Sequence, residues 1–66
     1  MDKALLKVLK VVGGRRALAK RLGISRQAVQ QWRRVPLEHM AEIERLTAIP
    51  ARELRPDLYR LFEPAA

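Results

Sequence analysis

Apolar residues recur with a helical period along most of this chain. Over residues 3–12, Leu5, Val8, Leu9 and Val12 share one side of a helix and Lys3, Lys7 and Lys10 the other, which predicts an amphipathic helix. Gly13-Gly14 ends it, because glycine enters the left-handed region that helix C-termini favour and lets the chain reverse. A second helix from about Arg15 puts Leu18, Ala19 and Leu22 inward, turns Arg16 and Lys20 to water and stops at Gly23. Ser25 stands where an N-cap is needed, so a third helix is expected over residues 26–34. On it Ala28, Val29 and Trp32 face one way, while Gln27, Gln30, Gln31 and Arg34 face another.

Val35-Pro36 breaks the pattern, since the residue before proline avoids the α region. A fourth helix follows with Pro36 at its first position, Glu38 near its positive end, Met40, Ile43 and Thr47 inward, and Leu37 and Ala41 at the margin. Ile49-Pro50 restarts a short helical turn through about Leu54, again with proline first and Glu53 close behind. Residues 57–62 show no clear period and read as irregular, with a short strand as the alternative, and residues 63–66 read as a frayed tail. These elements predict a single all-α domain of five helices over residues 1–66.

Composition narrows the picture. Sixty-six residues suffice for one domain, with a small core that either closes on itself or is completed by a second copy. Hydrophobic residues at 48% and charged residues at 32% suit a folded soluble domain. Without cysteine there can be no disulfide and no Cys-based zinc site, and nothing points to an oxidising compartment. No apolar run approaches the ~20 residues that cross a bilayer, and the N-terminus lacks a signal-peptide pattern, so a cytoplasmic location is expected. The net charge of +7 is unevenly spread: residues 1–34 hold ten basic residues and one acidic, residues 35–66 four and six. Such asymmetry implies an electropositive face for a polyanion, most often nucleic acid, and leaves the C-terminal half for the core or a protein contact.

Residues 15–34 carry the functional pattern. Two short helices joined at Gly23 match a helix-turn-helix: Ala19 sits where a larger side chain would collide with the following helix, and Leu18, Leu22, Ile24, Val29 and Trp32 lock the pair. The polar face of the second helix is left outward and contains no acid. The run from Arg15 to Trp32, continued by Val35-Pro36 and by residues 53–59, resembles the helix-turn-helix of Cro-like phage repressors, which share a lambda-repressor-like fold. It is most similar to the small Cro/YdaS-type regulators, some of them described as antitoxins. The resemblance implies a bacterial or phage cytoplasmic repressor that binds a palindromic DNA operator as a homodimer, with its recognition helix at about residues 25–34. Carried over by position, Arg26, Gln27, Gln30 and Gln31 are the base-reading residues. Chemistry agrees independently, because glutamine matches adenine N6 and N7, and arginine forks onto guanine O6 and N7. Arg16, Lys20, Ser25, Arg33 and Arg34 are better placed for phosphates, and Arg34 could serve either purpose.

Other candidates have plainer readings. Trp32 reads as core packing rather than a base-stacking surface, Lys3, Lys7 and Lys10 as a solvated face, and His39 as an exposed helical histidine. No second histidine or cysteine accompanies His39, so no metal site and no cofactor are expected. Glu38, Glu42 and Glu44 have neither a nucleophile nor a phosphate-binding loop beside them, which argues against an enzyme with a small-molecule substrate. Tyr59, Leu61 and Phe62 serve either the core or a dimer contact. Two competing functions remain: an antitoxin-type module whose acidic half holds a toxin protein, and an RNA-binding or architectural DNA protein that reads no bases.

Overall fold

A computed structural model describes residues 2–59 of the chain and, of Tyr59, only the backbone. Six α-helices occur among them: α1 (Lys3–Val12), α2 (Arg15–Leu22), α3 (Arg26–Gln30), α4 (Met40–Thr47), α5 (Ala51–Leu54) and α6 (Pro56–Tyr59). A single 3-10 turn, Leu37–His39, leads into α4. The all-α class expected from the sequence is the class found.

The first two helices form where the local signals place them. The Asp2 carboxylate accepts a hydrogen bond from the Leu5 amide at 2.9 Å and caps α1. At the other end Gly13 adopts φ 95°, and the amides of Gly13 and Gly14 both donate to the Leu9 carbonyl at 3.0 and 2.8 Å. Gly23, at φ 70°, closes α2 in the same way, with the Ile24 amide returning to the Ala19 carbonyl at 3.0 Å. Ser25 caps α3 as expected, its hydroxyl oxygen accepting from the Ala28 amide at 3.1 Å.

Helix α3 is shorter than its polar pattern predicts. It ends at Gln30, so Trp32, Arg33 and Arg34 lie on the segment beyond it. The cause is tertiary. Val29 and Val35 are both fully buried, but six residues apart on a continuous helix they would point about 120° apart. Unwinding after Gln30 lets both enter one core, and the Arg33 carbonyl then accepts from the Asp2 amide at 2.9 Å, tying this segment to the start of α1.

The C-terminal half departs from expectation at three places. Pro36 and Pro50 stand just outside their helices as N-caps, not at the first helical position. Leu37, expected at the margin of the inner stripe, is 63% exposed. The segment expected to be irregular or a strand contributes α6, a single turn begun by Pro56 and Asp57. The five expected helices are therefore present, with the fourth entered through a 3-10 turn and a sixth added. Leu61 and Phe62, and the side chain of Tyr59, lie outside the described residues.

One core serves α1 to α5. Leu5, Val8 and Leu9 of α1, Leu18 and Ala19 of α2, Val29 of α3, Val35, Ile43 of α4, Ile49 and Leu54 of α5 are buried together, with Val12, Leu22, Ile24, Trp32 and Met40 packed at the edge. Helix α2 packs chiefly on α3, while α4 and α5 close the core from the α1 side. The pair α2–α3 is thus held from behind and keeps its polar faces outward.

Candidate nucleic-acid interface

Ala19 is 4% exposed, at the seam between α2 and α3, where its small side chain permits close approach. With Val29 buried on the same seam, Arg26, Gln27 and Gln30 on α3 and Gln31 at its C-cap are all exposed. The four expected base-reading residues therefore share the outer side of a single short element. A pair of amides, or an amide and a guanidinium, presented this way can donate to and accept from a base edge at once.

The residues expected to meet phosphates fall into two groups. Arg16, Lys20 and Ser25 are exposed on α2 and at the start of α3. The Ser25 oxygen is occupied as acceptor by the Ala28 amide, which leaves its hydroxyl hydrogen to donate outward. Arg33 and Arg34 are exposed but off the helix. Arg34 also has a protein partner, since its Nη1 donates to Asp57 Oδ2 at 3.2 Å.

A shallow depression of about 390 Å³ lies between the start of α2 and the side of α3, lined by Gly13, Gly14, Arg15, Arg16, Arg26 and Gln30. It joins an expected phosphate residue, Arg16, to two expected base readers, Arg26 and Gln30; Lys20, Gln27 and Gln31 are not part of its wall. Gly14 has no side chain to cap α2, so the positive end of that helix adds to the three guanidiniums around the depression. Between Asp2 and Glu38 the sequence holds no acid. Arg15, which lines the depression, reads in the sequence only as a helix start; its signal is its place directly after the glycine pair.

Two aromatic rings support the segment behind α3. Trp32 is half-buried against the core, and its ring stacks on His39 with centroids 5.5 Å apart and planes 28° from parallel. His39 is accordingly half-buried in the 3-10 turn, not an exposed residue within a helix. No group of acidic and histidine residues suited to a metal ion occurs among the described residues. No helix among them is long and apolar enough to cross a membrane.

A second polar cluster sits beside Arg34. The Arg55 side chain, only 12% exposed, donates from Nε to Asp57 Oδ1 at 3.0 Å, from Nη2 to Asp57 Oδ2 at 2.9 Å and from Nη1 to the Val35 carbonyl at 2.9 Å. This fork lowers the Asp57 carboxyl from 3.8 to about 2, first through the hydrogen bond from Arg55, and the same bond raises Arg55. Arg55 and Asp57 stand two positions apart in the sequence, but nothing local there links them to Val35 and Arg34, which lie twenty or more positions upstream.

The small core, the tight glycine turn and the outward polar face of α3 define a small helix-turn-helix domain. Residues 5–62 match the family described as bacterial toxin YdaS, and the chain belongs to that family. It is 44% identical over 54 residues to a protein of Escherichia coli (strain K12) named "Putative transcriptional regulator YdaS", an alignment that covers 73% of this chain and 55% of that protein. The chain thus spans about half the length of that curated relative. No solved structure matches it.

Proposed function

We propose that this chain is a transcriptional regulator that binds duplex DNA sequence-specifically, with α3 entering the major groove. The observation that carries this reading is the outward row Arg26, Gln27, Gln30 and Gln31, backed by a buried Val29 on a half of the chain that holds ten basic residues and one acidic. A major groove admits a helix, and side chains near its N-terminus reach base edges. A five-residue helix presents little else than its N-terminal turn, so end-on insertion suits it. Arg16, Lys20 and Ser25 then contact phosphate on one side of α3, and Arg33 and Arg34 on the other. The relative's name as a transcriptional regulator supports the same reading.

As a repressor the protein needs no chemistry: occupying a promoter excludes polymerase. Binding as a homodimer through the C-terminal segment that holds Tyr59, Leu61 and Phe62 would set two copies of α3 about 34 Å apart on a palindromic operator. Selection of bound sites from random duplex DNA tests this. A two-fold symmetric consensus is expected; a pool with no enriched sequence overturns the proposal.

The family's description as a toxin favours a second reading, in which the acidic C-terminal half engages a protein. Glu38 lies in the 3-10 turn and Glu42 and Glu44 on α4, an element that packs on α1 and α5. Co-purification of a stable partner, together with no retention of duplex DNA at moderate salt, is the result that selects it.

A further inference from the structure

The Arg34–Asp57–Arg55 cluster is more than a surface ion pair. Among the described residues, Asp57 Oδ2 receives two guanidiniums, Arg55 at 2.9 Å and Arg34 at 3.2 Å, while Oδ1 receives Arg55. The two arginines are held very differently. Arg55 is 12% exposed and anchored by three hydrogen bonds, one of them to the carbonyl of Val35, the residue next to Arg34. Arg34 is 58% exposed and, among the described residues, keeps a single, longer bond. An anion is therefore fixed beside a loosely held guanidinium on the segment that follows α3.

We propose that Asp57 is a built-in competitor for DNA phosphate, a carboxylate that Arg55 fixes in place to occupy Arg34 while the protein is off DNA. A carboxylate and a phosphate offer guanidinium the same kind of oxygen acceptor, so a phosphate can take Arg34 over. The Arg55 fork remains when it does, because its bonds are shorter and the Arg55 side chain is far less exposed than that of Arg34. Each approach to DNA then exchanges one ion pair for another at Arg34, and that contact adds less to charge-driven affinity than a free arginine would. Asp57 thereby limits how tightly the basic half holds duplex of any sequence. This inference rests on the DNA-binding reading above.

Glu53 supplies a matched control. It pairs with Lys7 at 3.3 Å, with exposures of 59% for Lys7 and 51% for Glu53, and losing its charge changes the net charge by the same amount as losing that of Asp57. Affinity for a random-sequence duplex is measured by fluorescence anisotropy across a potassium chloride series for the wild type, Asp57→Asn, Glu53→Gln, Arg34→Ala and the Arg34→Ala/Asp57→Asn double variant. Asp57→Asn is expected to tighten binding about three- to tenfold at low salt and to steepen the salt slope by about one counterion. Glu53→Gln should give a clearly smaller gain. In the Arg34→Ala background, Asp57→Asn should do no more than Glu53→Gln does alone.

Equal gains from the two acid variants, or a gain from Asp57→Asn that survives loss of Arg34, would overturn the inference while leaving DNA binding intact. A wild type that holds no duplex at low salt would overturn both. Should Asp57→Asn fail to fold, the carboxyl carbon resonance of Asp57 decides in the wild type. Added duplex should shift it toward its position in Arg34→Ala, and a resonance that stays put counts against the proposal.

Discussion

Ala48 is the one residue other than glycine with a positive φ, 61°, among the described residues. It closes α4, its amide donating to the Glu44 carbonyl at 2.8 Å, in a conformation that costs a β-carbon roughly 1–2 kcal/mol. The side chain is exposed and makes no core contact to offset that strain. Ala48→Gly should therefore stabilise the domain. Glycine's greater freedom in the unfolded chain returns part of the gain, which leaves about 0.5–1 kcal/mol, measurable as a higher midpoint in urea. At the same scale, Gln27→Ala and Gln30→Ala should weaken a selected operator by about 1–3 kcal/mol each while leaving random duplex nearly unaffected. Lys20→Ala should instead weaken all sequences and flatten the salt dependence, because a phosphate contact carries no sequence information. Equal losses for the glutamine variants on operator and random DNA in a titration would remove these residues from base reading.

At the scale of elements, the acid behaviour of α6 follows from its clip. Asp57 titrates near 2 when folded against 3.8 in the absence of its partners, so its contribution is fully present above about pH 4. It is lost as pH falls from there toward 2, where protonation releases both arginines. Thermal midpoints followed from pH 6 to pH 2.5 should fall more steeply for the wild type than for Asp57→Asn; parallel curves would mean that the clip is thermodynamically idle. The clip also marks the limit of what sequence could tell. The ends of α1 and α2 were legible because Gly13 and Gly23 act on neighbours only a few positions away, whereas the Asp2 cap of α1 was not read. The end of α3 was not, because it is decided by burial of Val35 against distant elements. Helix α6 carried proline and aspartate start signals, but four residues are too few to display a period. The exposed row on α3 was legible because it needs only the helical repeat. Arg34's partner was invisible, since nothing local links it to Asp57.

At the scale of the whole molecule, the two halves divide the work by charge. On the proposed reading the basic half supplies the groove-facing helix and its phosphate contacts, while the other half closes the core through Ile43, Ile49 and Leu54 and holds most of the acids. A chain of this size gains little from a second core, so its C-terminal apolar residues have two physical uses that a single experiment separates. If Leu61 and Phe62 pack on their own domain, replacing both by alanine removes buried methylene groups and lowers the thermal midpoint at every protein concentration. If they join two copies, the isolated domain keeps its midpoint at low concentration, sedimentation shifts from dimer to monomer, and operator binding loses its steep concentration dependence. We expect the second outcome. A dimer supplies the two-fold symmetry that a palindromic operator requires, and one five-residue helix reads too few base pairs to select a site alone. A variant that remains dimeric and binds the operator as the wild type does would place the symmetry elsewhere on the surface.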